Sequence, residues 1–180
     1  MSSATLFRFQ LEVSDVDRNF YEPLDLRTAL HPSETHICLV TRVIAYVLNA
    51  QEDLNFSPGG LSDPDAPAIR LDDIASGSTK LWIEVGSPNA RKLHKASKAA
   101  DQVKVYTYKD PEILLKEIRS NDIHHADSLI VHSFDPKYLE LLASNLEKNN
   151  KWAVLISDGS LFITLSNGNT EQTEIRSHQI

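Results

Sequence analysis

Residues Leu81 to Val85 constrain the fold of this 180-residue chain more tightly than any other stretch. Side chains alternate along a strand, so Leu81, Ile83 and Val85 share one face and Trp82 and Glu84 the other. Both faces are apolar apart from one carboxylate, which is the signature of a strand covered on two sides. Glu84 then lies among neighbours that cannot solvate it, and burial either costs several kcal/mol or raises its pKa until it neutralises, unless a cation stands nearby. The simpler alternative is an edge strand whose Glu84 faces water or pairs with a lysine.

The remaining pattern supplies elements to cover such a strand. Phe7, Phe9, Leu11 and Val13 alternate, and Leu24, Leu26 and Thr28 repeat the period after a polar stretch, which reads as a hairpin. His31-Pro32-Ser33-Glu34 opens a helix with Pro32 at its first position and Ile37, Val40, Val43, Ile44, Val47 and Leu48 at helical spacing. Asn55 to Pro67 reads as a long irregular loop. Ala68 to Leu71 forms a strand before the turn containing Ser76-Gly77-Ser78, and Ser87-Pro88 starts a helix that runs to about Ala100. The second half alternates strand and helix: strands over 103–108 and 129–132, helices over 111–120 and 136–148. Asp158-Gly159 between two apolar runs is a hairpin signal, and residues 166–180 read as a polar tail. Together these predict one α/β domain spanning 1–180.

Composition narrows the function classes. With 41% hydrophobic residues the chain can close a core without staples, and its single cysteine, Cys38, permits neither a disulfide framework nor a cysteine-based zinc site. No apolar run reaches the ~20 residues of a membrane-spanning helix, and the N-terminus lacks a charged segment followed by an apolar one, so a cytoplasmic location is expected. The net charge of −7 argues against strong sequence-independent duplex binding, leaving only local nucleic-acid contacts.

Several residues could carry chemistry. Asp73 follows the strand before Glu84, and a hairpin between the two strands would bring the carboxylates together; two carboxylates plus water suit Mg²⁺ or Mn²⁺. Taken alone, Asp73 reads first as a turn residue at the end of a strand. Glu34 is a third candidate oxygen ligand, with helix capping as its ordinary role. The helix after Gly86 carries Arg91, Lys92, His94, Lys95 and Lys98, a cationic stripe opposite the apolar Leu93, Ala96 and Ala100. It could receive a phosphate beside a metal, with Lys92 or Lys95 polarising the leaving oxygen, although a solvated helix face explains the same pattern. His124-His125, His36, His132 and His178 lack metal-ligand spacing, and no phosphate-cradling Gly-Lys loop, Gly-x-Ser-x-Gly elbow or dinucleotide fingerprint is present.

Leu11-Glu-Val-Ser-Asp-Val-Asp-Arg18, His31-Pro-Ser-Glu-Thr35, Gly60-Leu61, Trp82-Ile-Glu-Val-Gly86 with Pro88, Arg91 and Lys95-Ala96, Tyr106-Thr-Tyr108 and Asp158-Gly159 together resemble the YaeQ family over nearly the whole chain. The resemblance implies a restriction-endonuclease-like fold of the PD-(D/E)XK type, a mixed central sheet flanked by helices. It implies Asp73 as the first acid of that motif, Glu84 as the second and Glu34 as the extra helix acid. The lysine expected two residues after the second acid is Gly86 here, so its role passes to Lys92 or Lys95 or is absent. Two functions follow: a Mg²⁺- or Mn²⁺-dependent phosphodiesterase acting on nucleic acid, with Arg91 and Lys98 on the phosphates, or a catalytically degenerate nuclease fold kept as a binding or regulatory module.

Overall fold

The computed structural model describes residues 4–59, 61 and 63–180. The chain is mixed α and β, organised as two compact units: one comprises the chain up to Val40 with Phe134–Arg176, the other Thr41–Ser133 with Ser177–Ile180.

The first unit is built on β1 (Thr5–Asp15), β2 (Phe20–Leu30), β8 (Asn149–Ser157), β9 (Ser160–Thr164) and β10 (Thr170–Glu174) in the order β10-β9-β8-β1-β2. The period-two pattern places Phe7, Phe9, Leu11 and Val13 inward, and β8 answers with Trp152, Val154 and Ile156, all buried. Phe9 and Trp152 meet edge to face at 5.3 Å. Asp158 and Gly159 both have positive φ, as the tight hairpin turn requires, and the Asp17 carboxylate accepts both of their backbone N–H groups. The helix expected over 136–148 is shorter, α4 (Pro136–Ser144). Residues 166–180 are not a tail: they supply β10, with Thr173 buried, and β11 (Arg176–His178).

The helix opened by His31-Pro32-Ser33-Glu34 starts later than its sequence suggests. Those residues form a turn closed by the Glu34 N–H on the His31 carbonyl at 2.8 Å, and α1 (His36–Asn49) is capped by Thr35, whose hydroxyl accepts the Cys38 N–H. Two residues compete for the cap, and the hydroxyl next to the apolar run wins.

The second unit holds a six-stranded mixed sheet in the order β11-β7-β6-β5-β4-β3, so two sheets stand where the sequence suggested one central sheet. Its strands are β3 (Leu54–Phe56), β4 (Ile69–Asp72), β5 (Thr79–Val85), β6 (Ala100–Thr107) and β7 (Ile130–Ser133), besides β11. Helices α2 (Ala90–Ala99) and α3 (Pro111–Arg119) make the crossovers that parallel β5, β6 and β7 require. Trp82, Val103, Val105 and Val131 from the sheet pack with Leu93, Ala96, Leu114, Leu115 and Ile118 from the helices into one cluster. Strand β5 pairs with β4 on one side and β6 on the other, which excludes the edge-strand reading.

Candidate active site

Because β5 is interior, Glu84 is only 3% exposed. Its two oxygens have different partners: Oε1 accepts from the Trp82 indole N–H at 2.7 Å, and Oε2 lies 3.0 Å from Lys92 Nζ. Burial pushes the Glu84 pKa up, and Lys92 and Trp82 offset only part of that rise. Lys92 reaches the strand from the first turn of α2, which begins at Ala90 with Asn89 as its cap; the Asn89 side chain accepts the Lys92 N–H at 2.9 Å. The Ala90 N–H is taken by Glu117 of α3 at 3.2 Å, so the start of α2 is less open to an anion than its sequence suggested.

Gly86 is a backbone requirement. Its φ of +105° lies where side chains are strained, and its N–H donates to the Tyr106 carbonyl at 2.9 Å. A lysine does not suit that position, and the cation beside Glu84 comes from the helix instead.

The hairpin does not bring Asp73 to Glu84. Ile69 faces Ile83 and Leu71 faces Leu81, so the residue opposite Glu84 is Ala68, whereas the Asp73 N–H bonds to the Ser78 carbonyl at the turn. Ser78 precedes Glu84 by six positions, roughly 20 Å at about 3.3 Å per residue. Asp73 instead accepts the N–H groups of Ala75 and Ser76 and stands 3.8 Å from Lys80; those amides and that charge lower its pKa. It is the turn residue that its local sequence also allowed.

The acid beside the basic helix is Asp65, in the loop leading into β4. It pairs with Lys95 at 3.0 Å, and Lys95, then Arg91 and Lys92, hold its carboxyl below the usual range. Lys92 therefore acts on two acids, Glu84 by contact and Asp65 through space. Pro64, Asp65, Asn89, Arg91, Lys92 and Lys95 line a cleft of about 700 Å³. Antiparallel pairing could have found Asp65 from sequence: about a turn at Ser76-Gly77, the partner of Glu84 falls at the start of β4, so the companion acid belongs before that strand.

The remaining expected residues fall elsewhere. Lys98 is absent from the cleft lining, and its charge acts on His124. Glu34 belongs to the first unit, where its Oε1 accepts the His31 N–H at 3.3 Å within the turn that precedes α1, so it does not cap the helix as expected. Among the described residues no group of three or more His, Cys, Asp or Glu is arranged to hold a metal ion, and no helix is long and apolar enough to cross a membrane.

Comparison with known proteins places this geometry in context. The family model described as YaeQ protein matches residues 1–174. Relatives named Uncharacterized protein YaeQ are 31% identical over 170 residues in Salmonella typhi and 29% identical over 171 residues in Escherichia coli (strain K12), each match covering 93% of this chain and 92% of the relative. The crystal structure of YaeQ protein from Xanthomonas axonopodis pv. citri superposes with a TM-score of 0.89 at 29% identity over 98% of this chain and 99% of that one. That from Pseudomonas syringae gives 0.88 at 28% identity, covering 98% and 97%.

Proposed function

We propose, for a chain that belongs to the YaeQ family, that the cleft between the Asp65 loop and α2 is a phosphodiesterase site dependent on a divalent metal. The observation that carries the reading is Lys92, which lines the cleft beside Asp65, contacts the buried Glu84 at 3.0 Å and acts through space on the exposed Asp65.

The donor set fits a hard divalent ion. Mg²⁺ and Mn²⁺ sites on phosphate substrates commonly use one or two protein carboxylates and leave the remaining positions to water and the substrate. Glu84 is held above its ordinary pKa by burial, so its charged form has most to gain from a second cation. Glu84 and Asp65 would hold the ion, which would supply a more acidic water and a polarised phosphoryl oxygen. The chain's own groups do the rest. Arg91 and Lys95 attract the phosphodiester, and Arg91 offers the planar fork that suits two of its oxygens. Lys92, freed from Glu84, is a compact charge for the oxygen on which negative charge develops. Trp82 keeps Glu84 aimed by its hydrogen bond and excludes water from that side.

A binding module is the second reading, and one observation favours it: both Glu84 oxygens already have partners, and the helix lysine holds one of them. The readings separate by comparing wild type with Glu84→Gln for Mn²⁺-dependent cleavage of labelled single-stranded DNA, duplex DNA and RNA. Cleavage by wild type that disappears in the variant supports the enzyme. Phosphate-dependent binding without cleavage, equal in both proteins, supports the module.

A further inference from the structure

A second cavity, of about 370 Å³, lies at the other end of α2 and is lined by Ser97, Asp101, His124, His125 and Ser128 among others. Its histidines are built in by backbone geometry. His125 adopts a left-handed conformation (φ 49°, ψ 44°), which histidine tolerates better than most residues, at the position preceding the single helical turn Ala126–Ser128. The His124 N–H donates to His94 Nδ1 at 3.0 Å, which fixes the loop to α2 and leaves the His94 proton on Nε2. The His124 and His125 rings lie 4.1 Å apart, edge to face.

The charged surroundings are mixed. His94 and Lys98 come from α2, while Asp101 from β6 lines the cavity and Asp122 and Asp127 stand in the loop itself. Desolvation first, and the neighbouring His125, Lys98 and His94 after it, hold the His124 pKa below its ordinary value, so an anion beside the ring would favour its charged form. The two cavities are joined by one stripe: Arg91, Lys95 and Lys98 recur at i, i+4 and i+7 along a helix about 15 Å long, with Lys92 and His94 at its borders.

We propose that the His124–His125 cavity is a phosphate subsite, and that the cationic stripe of α2 connects it to the Lys92 cleft as a track for the backbone of a single-stranded nucleic acid. The track rests on the phosphodiester reading of the cleft; the subsite does not. A narrow stripe on a protein of net charge −7 suits a strand that can thread along it better than the broad phosphate field of a duplex, and the two imidazole rings offer faces for bases. Binding strengthens as His124 charges, and Asp101 sets a limit on how much anion the cavity takes.

The test uses the full chain, a fluorescein-labelled oligothymidylate and a chelator to prevent hydrolysis. Wild type should bind about tenfold more tightly at pH 6 than at pH 8. His124→Gln/His125→Asn, in which asparagine tolerates the left-handed backbone, should lose that gain, match wild type at pH 8, and show a salt slope at pH 6 smaller by about 0.7 for the lost phosphate. Lys92→Ala should weaken binding at both pH values. Inorganic phosphate should shift the ring signals of His124 and His125 saturably in an NMR titration of wild type. A double variant that keeps the wild-type pH dependence, or phosphate that moves neither ring, overturns the subsite. Lys92→Ala binding like wild type, with the phosphate response intact, overturns the track alone.

Discussion

Glu84 and Gly86 show how two neighbouring residues divide a task between charge and backbone. Glu84 is held above its ordinary pKa, so the unfolded chain releases that proton more readily than the folded one. The contribution of Glu84 to stability is therefore complete below the unfolded value and is lost as pH rises through the folded one. Glu84→Gln keeps an acceptor for Trp82 and removes the titration. Its stability relative to wild type, measured by urea denaturation, should rise between pH 4 and pH 7, reading the onset from the ordinary value of 4.5. Gly86→Lys restores the motif's lysine in sequence but forces a side chain into φ +105°. The same measurement should show a loss of about 1–2 kcal/mol, with no gain in hydrolysis. The sequence disclosed Glu84 through its two apolar flanks, whereas the reason for Gly86 is a dihedral angle, which no residue pattern prints.

At the scale of elements, the β4–β5 hairpin decides which acid accompanies Glu84. Asp73 satisfies turn amides, so Asp73→Ala should lower the urea midpoint while leaving phosphate binding unchanged. Asp65→Ala, at an exposed position whose ion pair is screened by water, should leave the urea midpoint close to that of wild type and alter metal-dependent hydrolysis. Strand identity was readable from alternation, and the Ser76-Gly77-Ser78 turn was too; the register that separates Asp73 from Glu84 follows only once the turn is placed. The C-terminal strand was hidden for another reason. β11 is short and polar, and it is held by side chains: the Ser177 hydroxyl on His132 Nδ1 at 2.9 Å and Ser133 on His178 Nε2 at 2.8 Å. His132 stacks on Tyr106, and burial, with Lys104 and His178 nearby, brings its pKa from 6.5 to about 4. Stability from the neutral ring is whole above 6.5 and is lost as pH falls toward 4. That shift is worth at most about 3 kcal/mol, lowered to about 2 kcal/mol by partial solvent access. His132→Gln should show an acid-induced loss smaller by about that amount when denaturation at pH 7 and pH 4 is compared.

For the whole molecule, mixed α and β class was legible from the alternation of periods, and the division of the strands into two sheets was not. Both sheets use the same alternating residues, and which strands join is settled by parallel pairings such as β1 with β8, far apart in sequence. Charge works at this scale as well. The protein is acidic overall, with a few cations of α2 gathered at one cleft, so binding to any nucleic acid should be local and carry a shallow salt dependence. The claim on which the functional account turns is that Glu84 and Asp65, and not Asp73, would share one ion. Calorimetric titration of Mn²⁺ into wild type, Glu84→Gln, Asp65→Asn and Asp73→Asn tests it directly. Saturable binding is expected for wild type and Asp73→Asn, with the heat lost in the other two; binding that survives in Asp65→Asn and vanishes in Asp73→Asn would return the ion to Asp73.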